Sequence, residues 1–165
     1  MNGNRKSKLN KKKVEYYTPD WVWDSVKQFI PKNKVIWEAF RSDNPLSTRS
    51  ADYLRELGFD VVNPLCDFFS NDYGDIVVSN PPFADKRRAI DRCFHLNKPF
   101  MLLLPAFVLS TKYFCEWAKE RPELQFIILN NRVDYIRGDG AKSRCAFHTL
   151  CVCWKFNLEN RITFL

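Results

Sequence analysis

The residues best equipped for chemistry are Asn80, Pro81, Pro82 and Phe83, which follow directly on the apolar run at residues 75–79. Two successive prolines can continue neither a strand ladder nor a helix, so the strand must stop there. Each proline also pushes the residue before it toward extended geometry, which stiffens the turn. The Asn80 side-chain oxygen and the Pro81 carbonyl are then neighbouring acceptors on a rigid support. An aromatic or amide NH2 is a poor nucleophile because its lone pair is delocalised. Two acceptors that take its N–H bonds pull the nitrogen toward tetrahedral geometry and aim the lone pair at an electrophile. Such a site works through positioning and dipoles fixed in advance, with no strongly shifted pKa. Phe83 offers a flat face for a planar group, worth roughly 1–3 kcal/mol for a stacked base.

The elements that must hold this turn can be read from the pattern on either side. Folded structure is expected from about Glu15. A helical pattern covers residues 21–30, with Thr18 as N-cap, Pro19 at the first helical position and Pro31 past the end. Residues 35–40 are a short apolar run of the kind that forms a buried parallel strand. A polar loop at 41–47 leads to a helix at 48–57, stopped by Gly58. Residues 60–62 read as the second strand, 75–80 as the third and 86–96 as the helix after the proline turn. A strand at 100–104 closed by Pro105, a helix at 110–120 and a strand at 125–129 follow. The last third, 131–156, has aromatic and β-branched runs broken by Gly138, Asp139 and Gly140, which suggests hairpin-joined strands. Strands alternating with helices predict an α/β fold, a doubly wound, mostly parallel sheet ending in antiparallel strands.

Composition narrows the class. The 165 residues fit one domain, 15–165, and 45% hydrophobic content suffices for a core. No apolar run approaches the ~20 residues of a membrane span, so no membrane partner is expected and the protein reads as intracellular rather than secreted. Six cysteines without a CxxC pair read as reduced, small apolar residues. His95 and His148 have no ligand-spaced companions, so no metal is expected. The five tryptophans read as core packing. The net charge is +7, and six of the cations, Lys11, Lys12 and Lys13 among them, lie in residues 1–13 without an acid. A segment so charged and so poor in apolar residues is expected to be a disordered basic tail, 1–14, able to hold a polyanion by displacing counterions. Lys86, Arg87 and Arg88 follow the proline turn, and Arg137 flanks the glycine turn. They are candidates for a phosphate-contacting rim, the alternative being a solvated basic face.

Taken together, these motifs resemble S-adenosylmethionine-dependent DNA adenine amino-methyltransferases, most closely the small viral or phage type. The Asn-Pro-Pro-Phe turn is similar to that family's catalytic motif. Tyr17 and Thr18 ahead of a helix resemble its N-terminal cofactor motif, and Glu38, Ala39 and Phe40 its first-strand motif. Asp67 and Phe68 resemble its Asp-Phe motif, and residues 100–105 the strand after the catalytic turn. The resemblance spans roughly residues 16–154, in the family's order. It implies a Rossmann-like class I methyltransferase that transfers a methyl group to the exocyclic N6 amine of adenine in DNA. Asn80 and Pro81 would orient the amine, Pro82 would stiffen the turn and Phe83 would stack the base. Tyr17, Thr18, Glu38, Ala39, Phe40, Asp43, Asp67 and Phe68 would line the cofactor pocket. For the viral type, the compartment implied is the cytoplasm or nucleus of the host cell.

The chain departs from the family pattern at three places. The first loop, glycine-rich in the family, has no glycine at 41–47, and Ala39 replaces a proline. Asp43 and Asn44, which tolerate left-handed backbone, are the expected turn formers. The acid expected after the second strand is also missing, and Asn63 stands near that position. No separate target-recognition domain is expected, so specificity would come from single-strand use, a partner or a homodimer. The same tetrapeptide also serves enzymes that act on RNA or on protein glutamine. A glycine-free loop equally suits an inactive, nucleic-acid-binding relative.

Overall fold

Two strands, β5 (Phe100–Pro105) and β9 (Thr149–Trp154), are buried along their whole length, which places them at the centre of the sheet. A strand buried on both faces can carry apolar residues at every position, as the near-continuous apolar run of β5 does. The computed structural model describes residues 15–165, so the basic tail with Lys11, Lys12 and Lys13 lies outside the described residues.

The chain begins with β1 (Tyr16–Tyr17) and α1 (Asp20–Val26), then β2 (Ile36–Trp37), α2 (Arg49–Glu56) and β3 (Val61–Val62). Next come β4 (Ile76–Ser79), α3 (Lys86–Leu96), β5, α4 (Lys112–Glu120) and β6 (Leu124–Ile128). The hairpin β7 (Tyr135–Arg137) and β8 (Lys142–Ser143), then β9 and β10 (Ile162–Phe164), complete it. The main sheet has seven strands in the order β10-β6-β9-β5-β4-β2-β3. All its pairings are parallel except those of β9, which runs antiparallel between β5 and β6. This is the Rossmann-like, doubly wound architecture that the methyltransferase resemblance implies.

Helices cover both faces. Val22, Trp23 and Val26 of α1 and Ala51 and Leu54 of α2 pack with Ile36, Ile76, Val78, Met101 and Leu103. Ala89, Ile90 and Cys93 of α3 and Phe114 of α4 pack with Trp37, Val77, Phe100, Leu102 and Leu104 on the other side. The alternation along β4 and β5 is the pleat, sending successive side chains to opposite faces. Cys151 and Cys153 share one of those faces as buried thiols. Among the described residues, no helix is long and apolar enough to cross a membrane.

Several expectations are corrected. Thr18 is not the cap of α1: Pro19 occupies that position with no side-chain hydrogen bond, and the Val22 N–H bonds the Pro19 carbonyl at 3.1 Å. The antiparallel strand late in the main sheet is β9, set between β5 and β6, and one further strand not foreseen in the sequence, β10, pairs parallel with β6. Ile162 and Phe164 are half or more exposed at this edge, so no burial pattern marks the strand in sequence. The glycine-turn hairpin lies outside the main sheet. It forms a three-stranded antiparallel sheet with β1, in the order β1-β7-β8. Trp21 is 37% exposed on α1 rather than packed in the core.

Gly74 fixes the spacing of β2 and β4. Its φ is +61°, and a Cβ there would lie 2.8 Å from the Val35 carbonyl oxygen and 3.1 Å from the Trp37 nitrogen. Beside it, the Asp75 N–H bonds the Val35 carbonyl at 2.8 Å, and the Asp75 carboxylate accepts the Val35 N–H at 2.8 Å. Replacing Gly74 by alanine therefore adds both strain and a clash with backbone that cannot swing aside. Gly74→Ala is expected to cost at least ~1–3 kcal/mol. Thermal unfolding should register this as several degrees of Tm, at about 2–4 °C per kcal/mol for a chain of this size.

Candidate functional site

The strand order reverses direction at β2. From β2 the chain passes to β3 on one side, then returns to β4 on the other. Open α/β sheets bind ligands in the crevice beyond the carboxyl ends of such strands. A cleft of about 500 Å³ lies there, built from the segments that follow β2, β3 and β4 and roofed by the β1 segment.

The cleft brings together residues far apart in sequence. Tyr17 and Thr18 come from the β1 segment, and Glu38, Ala39 and Phe40 follow β2. Asp67 and Phe68 follow β3, and Asn80, Pro81, Pro82 and Phe83 follow β4. Asp43 is the exception: it is exposed and does not line the cleft. The reason lies in its neighbours. Ser42 Oγ accepts the Asn44 N–H at 3.2 Å, Asn44 Oδ1 accepts the Leu46 N–H at 2.9 Å, and Ser47 Oγ donates to the Ser42 carbonyl at 2.8 Å. This side-chain-tied turn turns 43 outward and needs no left-handed residue. Asn44 has φ −71°, and the only non-glycine residues with positive φ among those described are Asn97, Lys155 and Asn157.

Glu38 lies at the base of the cleft, buried. Its Oε1 accepts Ser79 Oγ at 2.5 Å and its Oε2 accepts Asn63 Nδ2 at 2.8 Å. Asn63 Nδ2 also reaches the Glu38 carbonyl at 2.8 Å, and the Ala39 N–H meets Ser79 Oγ at 3.3 Å. Burial pushes the Glu38 carboxyl up to about 7, against the opposing pull of the Ser79 hydrogen bond and the Arg55 charge. Asn63, near the position expected to carry an acid, thus serves Glu38 from behind. Sequence reading missed this role, because the contact joins the ends of three strands.

Two aromatic groups flank the Glu38 base. On one side Phe40 and Phe68 have ring centroids 4.7 Å apart, Phe68 also contacts Trp37 at 5.0 Å and Phe69 at 5.4 Å, and Asp67 lies beside them. The Ser70 hydroxyl, bonded at 2.5 Å, and the Phe69 N–H hold the Asp67 carboxyl below its ordinary range. On the other side Phe83 packs edge-on against Tyr135 at 5.5 Å and Phe147 at 5.2 Å. Tyr135 and Phe147 went unremarked in the sequence, where only hairpin-type alternation distinguished them.

The Asn80 Oδ1 is buried and has no hydrogen-bond partner, as is the Thr18 Oγ1. Buried acceptors are nearly always satisfied, so an orphan in a cleft marks a place for a donor. The turn around Asn80 is braced, because the Asp85 N–H bonds the Pro82 carbonyl at 2.8 Å. Over the cleft, the Tyr17 hydroxyl bonds the Glu15 carboxylate and lies 3.4 Å from Ser42 Oγ. Burial and the Glu15 hydrogen bond push the Tyr17 phenol up to about 12.

The predicted basic rim is divided. Lys86 Nζ donates to the Phe83 carbonyl at 3.0 Å, while Arg87 stacks over Tyr113 at 5.2 Å. Arg88 lies 4.0 Å over Phe69 and pairs with Asp85 at 3.4 Å. Arg137 pairs with Asp139 at 2.7 Å within the β7–β8 hairpin. Among the described residues, no group of three or more His, Cys, Asp or Glu could hold a metal ion.

In comparisons with known proteins, no family model matches the chain, and no curated protein matches it. Among solved structures the chain is similar to one from Pyrococcus horikoshii described as a "putative RNA methyltransferase". The identity is 15%, 84% of each chain is covered, and the TM-score is 0.47. At that degree of likeness, the functional reading rests on the chain's own residues.

Two expectations follow from this geometry. Glu38 holds its proton more tightly when folded than when unfolded, where it would titrate near 4.5. Its contribution to stability is therefore full below about pH 4.5 and is lost as pH rises through about 7. Between those limits the Tm of Glu38→Gln should fall less with pH than that of the wild type. The second concerns the loop. Asn44 also donates to the Gly138 carbonyl at 3.0 Å, tying the loop to the hairpin. Asn44→Gly should cost ~1–2 kcal/mol in denaturant unfolding through these lost bonds, so restoring a glycine here weakens the loop instead of repairing it.

Proposed function

We propose that this chain is an S-adenosylmethionine-dependent amino-methyltransferase whose substrate is the exocyclic N6 amine of adenine in DNA. The observation that carries the reading is the buried, unpartnered Asn80 Oδ1, held between a strand end and two prolines inside the cleft. A donor of the NH2 type satisfies that oxygen, and the Pro81 carbonyl is the second acceptor for the same nitrogen. Phe83, braced by Tyr135 and Phe147, offers the face on which the base stacks. The choice of adenine in DNA rests on the resemblance of the motifs and their order to DNA adenine methyltransferases.

The cleft's other half fits the cofactor. Phe40 and Phe68 present apolar faces for a purine, with the Asp67 carboxylate beside them. Glu15 gives that part of the cleft acidic character suited to a cationic ligand, and Glu38 adds to it as pH rises through about 7. When bound, S-adenosylmethionine supplies an electrophilic methyl on a sulfonium. Asn80 and Pro81 orient the amine and hold its hydrogens, and after transfer the surplus proton passes to solvent, since neither residue titrates. Tyr17 and Thr18 close the cleft from the β1 side.

The test pairs calorimetric titration of the cofactor with methyl transfer to adenine-containing DNA. Asn80→Ala should keep cofactor affinity and lose about 10²–10³-fold in kcat, the usual cost of one preorganised acceptor or donor at a reacting group. Failure of the wild type to bind the cofactor at all would overturn the reading. Equal loss of cofactor affinity in Asn80→Ala would remove Asn80 from the role of amine acceptor.

A further inference from the structure

The aromatic packing at the Phe83 end does not stop at the cleft. Phe147 contacts Phe83 at 5.2 Å on one side and Phe107 at 5.6 Å on the other, both edge-on. The three rings form a ladder from the catalytic turn to the surface, where Phe107 is 48% exposed. Phe107 sits in the short helical turn Ala106–Ser110 directly after β5, and the Ala106 N–H bonds the His148 carbonyl at 2.8 Å. The exposed ring is thus tied to the segment just before β9 that carries Phe147.

One cation lies against the ladder and others are on neighbouring segments. Lys86 Nζ lies 5.4 Å over the Phe107 ring while donating to the Phe83 carbonyl, so one ammonium spans the catalytic turn and the exposed ring. Arg87, next on α3, is exposed over Tyr113. Arg132 lies 3.5 Å from the His148 ring beyond Phe147. The nearby acid, Asp85, pairs with Arg88. An exposed aromatic face among cations is how proteins hold single-stranded nucleic acid, the bases stacking and the phosphates meeting the charges.

We infer that Phe107, with Lys86 and Phe147, is a stacking platform for the nucleotide next to the target base on a single-stranded nucleic acid. In a duplex the neighbouring base is already stacked and paired, so its face is not available to Phe107. An unpaired strand presents both bases at once, one to Phe83 and one to Phe107. The platform rests on the proposed function only in its claim that the adjacent base is the methyl acceptor.

The experiment measures fluorescence anisotropy of labelled 12-mers, as single-stranded DNA, single-stranded RNA and duplex DNA, with methyl transfer assayed on the same oligonucleotides. Phe107→Ala should weaken single-strand binding about tenfold and leave duplex binding and cofactor affinity unchanged. Phe107→Trp should retain single-strand binding, which separates lost stacking from misfolding. A larger effect on DNA than on RNA, or the reverse, identifies which strand the platform serves. Single-strand binding that stays within twofold in Phe107→Ala, or that falls equally for the duplex, overturns the platform. So does binding to a glutamine-containing peptide in place of nucleic acid. Phe107-dependent strand binding by a wild type that transfers no methyl upholds the platform and overturns the proposed function alone.

Discussion

The site depends on one buried carboxylate. Glu38 follows β2, Asn63 follows β3 and Ser79 ends β4, and the Glu38 side chain joins all three. Three adjacent strands end where the cleft begins, and with only two residues each, β2 and β3 have few ladder bonds to fix their relative heights. The Glu38 hydrogen bonds supply that constraint. They set where the Phe40 and Asp67 segments leave the sheet on one side and where Asn80 leaves it on the other. A buried carboxylate missing one of its donors would be costly, so the three positions are coupled rather than independent.

The loop after β2 shows how another composition can meet the demand that glycine answers elsewhere. A glycine-rich turn lets backbone approach a ligand closely at the expense of conformational entropy. Here Ser42, Asn44 and Ser47 make the turn with their side chains, in ordinary right-handed or extended backbone. Their bonds also anchor the turn to its surroundings, through Asn44 to the Gly138 carbonyl and through Ser42 to Glu15. The loop is thereby fastened to the small sheet that roofs the cleft. Rigidity replaces close approach, and the β1 segment and the loop form one connected wall.

Legibility in the sequence followed the range of the interactions. The β4–turn–α3 unit was readable because its signals are local: an apolar run, two prolines and an amphipathic helix ending at Asn97, which is left-handed at φ 55°. The alternation of strands and helices gave the parallel sheet for the same reason. The residues proposed for the cofactor were singled out through motif order, and the fold brings them to one cleft apart from Asp43. What could not be read depends on contacts between distant segments. Asn63 acquires its role only when β2, β3 and β4 are side by side. Phe107 and Phe147 meet only because β5 and β9 are neighbours, with Pro105 opposite Thr149. The pairing of Tyr16 with Arg137 across more than a hundred residues leaves no mark on either segment alone.

The unpartnered Asn80 oxygen connects stability to chemistry. Leaving a buried acceptor without a donor costs about 1–3 kcal/mol, and a flexible turn would rotate the amide to satisfy it. The turn cannot do so freely: Pro81 and Pro82 fix their own φ angles, the Pro82 carbonyl is held by Asp85, and Ser79, immediately before Asn80, is bonded to Glu38. The fold therefore keeps the acceptor turned into the cleft without a protein partner. A ligand that brings an N–H to it regains the missing bond in surroundings of low dielectric, where that bond is strongest. The same rigidity explains why the flat face is Phe83: its ring is wedged between Tyr135 and Phe147, so stacking on it requires little further ordering of the protein. On the proposed function, selectivity for a planar amine would follow from these two restraints together, one fixing the acceptor and the other fixing the plane.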